Sequence, residues 1–402
     1  MKPLLKILII IIPLIYFAGC CKQTGRQQNS NNRFITVIDS LQKVYAPDKR
    51  VVLWKAVKTD SAFTLLLDNE MAFKEVTSAI KKLSPSFKTN IRLLPETNRN
   101  RLVSGLINNS VANLRTKPKH SAEMATQALL GTPVRVYKKM GEWYLVQTPN
   151  RYIAWVDSAA IVTINPKELS HYKKMEKVVF MPVSGFSYSH PDNKSQTVSD
   201  LVAGCILPVT GSKNGFLKVI YPDRRVAWVK QNETVGFTEF TQQKLSTESL
   251  IKTAGQFLGF PYLWGGTSSK AVDCSGFTST VYYMNGILLQ RDASQQTKYG
   301  KVITTSYNSD NLLPGDLLFF GRPATQTKPE RVTHVALYLG NGKFIHASGK
   351  VRINSMDSTM PDFIKSYVPR FVRAVRINGF IDGKGIEKLS NNRFYKEIIA
   401  NN

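Results

Sequence analysis

The chain has 402 residues, a net charge of +26 from 54 Lys and Arg against 28 Asp and Glu, and four cysteines. That length exceeds one ordinary domain and points to several. No two cysteines form a CxxC pair, which leaves out a zinc ribbon and a thioredoxin-type motif. The charge is dispersed, and no zinc-finger, RNP-type or helix-turn-helix pattern accompanies it, so the basicity favours polyanions in general and not nucleic acid.

At the N-terminus, Lys2 and Lys6 precede an apolar run, Ile7 to Phe17, broken only by Pro13. The run is short for a membrane span and fits the core of an export signal. It ends in Phe17-Ala18-Gly19-Cys20, small residues before a cysteine. This resembles the lipobox of bacterial lipoproteins. The resemblance implies a signal peptide over 1–19, lipidation of Cys20 and a membrane anchored through it. With no acidic residue after Cys20, it also implies an outer-membrane position facing the periplasm. Residues 20–33, rich in Gln, Asn and Ser, read as a flexible tether.

Residues 34–100 read as a small α+β unit. Val51 to Trp54 and Phe63 to Leu67 look like strands, and Ala72, Val76, Ile80 and Leu83 recur at helical spacing over Met71–Leu83.

An internal repeat follows. Gly131, Val136, Val146 and Pro149 recur at one constant offset as Gly204, Val209, Val219 and Pro222, and Ala154-Trp155-Val156 recurs as Ala227-Trp228-Val229. Short β-type runs such as Val134–Tyr137, Trp143–Val146 and Tyr152–Trp155, separated by Gly, Pro or charged turns, predict a small barrel in each copy. The copies span 101–162 and 163–240. They resemble tandem bacterial SH3-like domains, which act as spacers or as modules that target the wall or restrict the substrate.

From residue 247 to 388 the order is helix first, strands after: an amphipathic helix carrying Leu250, Ile251, Ala254, Phe257 and Leu258, a second helix opening at Cys274, then strands over 316–320, 334–339 and 343–348. This is an α+β layout. Residues 389–402 read as a tail.

Cys274 opens an apolar helix reaching about Asn285 before Gly286, with Asp273 as the expected N-cap. Unpaired N–H groups and the helix dipole there favour a thiolate and could hold an oxyanion. Cys20, if lipidated, and Cys21 on its tether are accounted for, and Cys205 reads as a buried apolar residue. Cys274 is left without a structural partner. Two of the five histidines, His334 and His346, flank an Asn341-Gly342 turn. One imidazole could serve the thiol as base and the other orient it. The rival reading of two histidines is a metal site, but the chain has no HExxH and no carboxylate beside His334 to complete one. No metal and no cofactor are expected.

The motifs Tyr262-Leu-Trp-Gly-Gly266, Asp273-Cys-Ser-Gly-Phe277, Arg291-Asp-Ala-Ser-Gln-Gln296, Leu313-Pro-Gly-Asp-Leu317, His334-Val-Ala-Leu-Tyr-Leu-Gly340 and Phe344-Ile-His-Ala-Ser348 come in this order. Together they resemble the NlpC-family cell-wall cysteine peptidases. The resemblance implies a multidomain chain, an α+β papain-like catalytic domain preceded by two small all-β SH3-like barrels and the small α+β N-terminal unit. It implies Cys274 as nucleophile, His334 as base and His346 as the orienting member. Members with SH3-like domains before the catalytic one resemble γ-D-glutamyl-L-diamino acid endopeptidases, which cut L-Ala-γ-D-Glu-diamino acid stem peptides or muropeptides after the D-glutamate. In such enzymes the first SH3-like domain reads a free L-Ala amine, which places Glu123 and Tyr152 at the substrate. Tyr262, Asp273 and Ser275 would line the pocket, with Arg291 near its rim. A monomer is expected. Alternatives are an amidase or acyltransferase on the same fold, or a non-catalytic wall-binding lipoprotein.

A regular two-residue hairpin at Asn341-Gly342 would pair Leu337 with His346 and put His334 and His346 on opposite faces of the sheet. A triad therefore requires an odd loop or a bulge near Gly340–Lys343, with Gly342 at positive φ.

Overall fold

The computed structural model describes residues 18–95, 104–307 and 310–399. The apolar run Ile7–Phe17 and the Cys20 side chain lie outside the described residues. Among the described residues no helix is long and apolar enough to cross a membrane. The chain divides between Leu94 and Pro95 into two compact units.

In the first unit the segment 23–33, expected as a flexible tether, is helical and belongs to the helix Ala18–Tyr45. Phe34 and Ile38 on this helix are buried with Phe63, Leu65, Leu67, Ala72 and Val76. That apolar anchor sits C-terminal to the polar stretch, so composition alone concealed the helix. Strands β1 (Trp54–Lys58), β2 (Ala62–Leu67) and β3 (Lys88–Leu93) form a sheet in that order. The strand expected at Val51 begins only at Trp54, because Val51 and Val52 donate to the Asp48 carbonyl in a turn and Leu53 N–H donates to Asp68 Oδ1. The helix Glu70–Leu83 is capped by Asn69, whose side chain accepts from Ala72 N–H at 2.9 Å.

The second unit opens with the repeat. Its first copy contains β4 (Ser104–Ile107), β5 (Val111–Arg115), β6 (Met124–Leu129), β7 (Pro133–Met140), β8 (Trp143–Gln147), β9 (Ile153–Asp157) and β10 (Ile161–Ile164). The second contains β11 (Lys177–Phe180), β12 (Gly185–Tyr188), β13 (Thr197–Leu201), β14 (Ile206–Lys213), β15 (Phe216–Ile220), β16 (Val226–Lys230) and β17 (Thr234–Gly236). The first sheet runs β10-β4-β7-β8-β9-β5-β6 and the second, taken from its other end, β17-β11-β14-β15-β16-β12-β13. Each strand of one copy thus has its counterpart in the other. Bulges fall at matching places, Val136/Lys138 and Val209/Gly211, and Arg151 (φ 70) matches Arg224 (φ 71). Among the described residues neither ladder closes on itself, so the expected barrels are open seven-stranded sheets.

The remainder of the second unit, expected from the sequence to be the catalytic half, packs the helices Thr247–Gly255 and Cys274–Tyr283 into one core with its main sheet. After β18 (Thr267–Ser268), β19 (Ala271–Val272) and β20 (Ile287–Leu289) come β21 (Lys301–Thr304), β22 (Leu317–Arg322), β23 (Arg331–Gly340), β24 (Lys343–Ser348), β25 (Lys350–Ser355), β26 (Phe371–Arg376) and β27 (Ile386–Lys388). The main sheet has the order β21-β26-β22-β23-β24-β25. The C-terminal residues expected as a tail are packed. Leu389, Tyr395 and Ile398 are buried in the core of the repeat copies, and Asn392 and Arg393 donate to the Pro149 carbonyl and to Gln147.

Candidate active site

Asp273 caps the cysteine helix as expected, its Oδ1 accepting from Gly276 N–H at 2.7 Å. Cys274 is therefore the first residue of that helix, at the end where backbone N–H groups are unspent. Gly276 is required by close approach: a Cβ there would meet the Gly266 carbonyl at 1.9 Å. The glycines of the two motifs thus let the helix settle against the Tyr262–Gly266 loop.

The thiol is nearly enclosed, with Cys274 7 % exposed. Cys274 shares a core with Val335 and Leu337 of β23, the strand that carries His334, and the N–H groups of Ser275 and Val335 favour its thiolate. Sequence reasoning expected a lowered thiol pKa from the helix terminus. Here burial outweighs it, and with help from the Asp273 carboxylate it pushes the thiol up to about 11 against the pull of those N–H groups.

His334 on β23 and His346 on β24 share a face. The required bulge is present: Leu337 pairs with Ile345 and Tyr338 with Phe344, Leu339 is skipped, and Gly340 pairs with Lys343. Asn341 (φ 51) and Gly342 (φ 71) form the turn. His334 Nε2 and His346 Nδ1 stand 2.7 Å apart, and His346 Nε2 lies 3.0 Å from Asn354 Oδ1. Phe320, Phe344 and Tyr367 wall the two rings. Burial among these aromatics drives the His334 pKa well below its ordinary value and that of His346 down to about 4. Both imidazoles are neutral near pH 7.

The expected substrate residues divide into two sets. Arg291, expected near the rim, is 1 % exposed and lies against the residues on either side of Cys274. Its Nη2 and Nη1 donate to both Asp273 oxygens at 2.6 and 3.1 Å, Nη1 also to Ser275 Oγ at 3.1 Å, and Nε to Thr126 Oγ1 at 2.9 Å. A guanidinium beside a carboxylate that must be buried as helix cap explains the placement, since neither charge could be enclosed alone. Asp273 and Ser275 belong to this closed network, at 6 % and 5 % exposure.

Glu123, Tyr152 and Tyr262 keep accessible surface. Glu123 Oε1 accepts from Trp264 Nε1 at 2.8 Å, and Tyr152 OH donates to Asp292 Oδ2 at 3.2 Å. Both residues of the first repeat copy therefore engage the catalytic half. In the second copy Arg225, the counterpart of Tyr152, turns to Asp223 and the Tyr221 ring instead. Tyr262 has its hydroxyl pKa raised to about 12, first by burial and then by Cys274 and Asp273. Asn354, Trp264 and Asp292 were missed in the sequence. The latter two sit inside recognised motifs, whereas Asn354 has no local signal.

Comparison with known proteins matches residues 259–368 to the NlpC/P60 family and residues 114–161 to the bacterial dipeptidyl-peptidase Sh3 domain. The chain is 33 % identical over 232 residues to a gamma-D-glutamyl-L-lysine dipeptidyl-peptidase of Bacillus subtilis, covering 55 % of this chain and 71 % of that protein. It is 30 % identical over 257 residues to the protein of the same name from Bacillus cereus, covering 61 % and 74 %. The crystal structure of an NlpC/P60 family protein from Bacillus cereus superposes with a TM-score of 0.58 at 26 % identity, over 68 % of this chain and 99 % of that one. With Cys274 opening a helix capped by Asp273, a hydrogen-bonded pair of histidines and SH3-like sheets in front, the chain belongs to the NlpC/P60 family.

Proposed function

We propose that the protein is a cysteine endopeptidase that hydrolyses the γ-D-glutamyl-L-diamino acid bond of peptidoglycan stem peptides bearing a free N-terminal L-Ala. The observation that carries this reading is the hydrogen-bonded pair His334–His346 on β23 and β24, with Cys274 opening the helix that packs in one core with β23. Relatives named gamma-D-glutamyl-L-lysine dipeptidyl-peptidase support the bond.

In this reading Cys274 gives its proton to His334 as the sulfur attacks the γ-glutamyl carbonyl carbon. N–H groups at the helix start stabilise the oxyanion. The carbon–nitrogen bond then breaks, and His334 returns the proton to the departing amine. Water, deprotonated by His334, cleaves the thioester and regenerates the thiol. Glu123, Tyr152 and Tyr262 face the substrate, with the Glu123 carboxylate pairing the L-Ala ammonium. The Asp273–Ser275–Arg291 network holds the helix start in place. The protein acts in the cell envelope as an exported monomer, lipid-anchored at Cys20 in the outer membrane.

The test is release of the diamino acid from L-Ala-γ-D-Glu-L-Lys or its meso-diaminopimelate analogue. Cys274→Ala should abolish release while the melting temperature stays within a few degrees of wild type. Undiminished release by Cys274→Ala would sink the reading.

A further inference from the structure

The line of hydrogen bonds does not stop at His346. Asn354 on β25 is 8 % exposed and shares a face with His346, which stands opposite Arg352 two residues away. Its Nδ2 donates to the Asp362 carbonyl at 2.8 Å. That carbonyl also accepts from Ser355 N–H at 3.1 Å, so it offers only lone pairs to the amide. The amide of Asn354 therefore cannot be reversed, and the atom facing His346 Nε2 is an oxygen.

An oxygen at 3.0 Å requires a proton on His346 Nε2. A neutral imidazole carries one proton, so His346 Nδ1 is bare and accepts. Across 2.7 Å, His334 must then donate from Nε2. Its own Nδ1 is left bare, with its lone pair free for the thiol proton. The reverse arrangement would put two N–H groups, or two lone pairs, face to face somewhere along the line.

We propose that Asn354 is a positioning residue that sets the tautomers of both histidines, so that His334 presents an unprotonated Nδ1 to Cys274. This rests on reading Cys274 and His334 as the thiol and its base. During the first step the Cys274 proton goes to His334 Nδ1, and the resulting imidazolium keeps its Nε2 proton in the bond to His346. Asn354 touches neither substrate nor sulfur and acts only through the rings.

The test reads protonation directly. The full chain, labelled with nitrogen-15 in its five histidines, is examined by long-range proton–nitrogen correlation at pH 7. Both His334 and His346 should carry their proton on Nε2, and a proton on Nδ1 of either neutral ring would overturn the proposal. Asn354→Leu removes the acceptor at similar volume, and kcat should fall at least about tenfold with KM little changed. Asn354→Asp keeps an acceptor and should recover kcat to within about threefold of wild type, with the acid limb of its pH profile moved upward. Wild-type kcat in Asn354→Leu, or equal impairment in both variants, would overturn the role. If a variant fails to fold, the wild-type tautomers decide alone. Activity surviving in Cys274→Ala would instead remove the thiol reading, whatever the tautomers show.

Discussion

His334 and His346 lie on one face of neighbouring strands, Nε2 to Nδ1 at 2.7 Å, because the ladder skips Leu339. A ladder that paired Leu339 with Phe344 instead of skipping it would set Leu337 opposite His346 and turn one ring into the opposite core, where Val335, Leu337 and Ile345 pack against the cysteine helix. Deleting Leu339 removes the skipped residue, leaves Tyr338 opposite Phe344 and Gly340 opposite Lys343, and keeps both rings on one face, so kcat/KM should stay within about tenfold of wild type. A loss of about a hundredfold in the deletion would mean that the skip does more than align the two rings.

The thiol and both imidazoles rest uncharged. Alkylation of Cys274 by iodoacetamide, taken as the difference from Cys274→Ala, should keep accelerating as pH rises toward about 11. Saturation near neutral pH would show a thiolate already formed. The acid limb of kcat should fall below pH 6.5, since His334, the proposed base, is held well below its ordinary value.

The same burial sets a stability profile. Below pH 6.5 the unfolded chain gains protons on these histidines while the folded chain refuses them, so stability falls as pH drops. For His346 the loss runs from about 6.5 to about 4 and amounts to roughly 3 kcal/mol. Urea midpoints measured across that range should decline more steeply in wild type than in His346→Gln. Equal slopes would contradict the buried neutral pair.

Arg291 and Asp273 stand 2.6 Å apart with almost no exposure. Arg291→Met leaves a buried carboxylate uncompensated and should cost roughly 3–5 kcal/mol in urea unfolding. Arg291→Met combined with Asp273→Asn should cost less than the first change alone, because the orphan charge is gone. Additive losses would show that the two residues act independently.

Much of the site was legible because its chemistry is local. The Asp273 cap and the Cys274 helix follow from adjacent residues, and the parity of two strands around Asn341-Gly342 demanded the bulge. The repeat was legible as matched residues, and its strands follow one order in both copies. What stayed hidden depends on tertiary burial. Nothing next to Arg291 says that it turns inward to Asp273, and nothing next to Asn354 says that Asp362 fixes its amide. The thiol expectation failed for the same reason: a helix terminus is visible in sequence, but enclosure of the sulfur is not. Polar composition likewise disguised residues 23–33, whose helix is anchored downstream at Phe34 and Ile38.

Glu123 and Tyr152 belong to the first repeat copy yet bond to Trp264 and Asp292 of the catalytic half. Glu123→Gln should raise KM for a free-amine peptide about tenfold while kcat changes little, and Tyr152→Phe should do the same more weakly. A fall in kcat with KM unchanged would place them in the chemical step instead.

The most direct test compares cleavage of L-Ala-γ-D-Glu-meso-diaminopimelate with that of the same peptide acylated at its N-terminus, as in stems joined to muramic acid. The account predicts cleavage of the free peptide and at least about a hundredfold lower kcat/KM for the capped one. Equal cleavage of both would contradict the amine-reading role of the first SH3-like sheet, and cleavage of neither would contradict the peptidase itself.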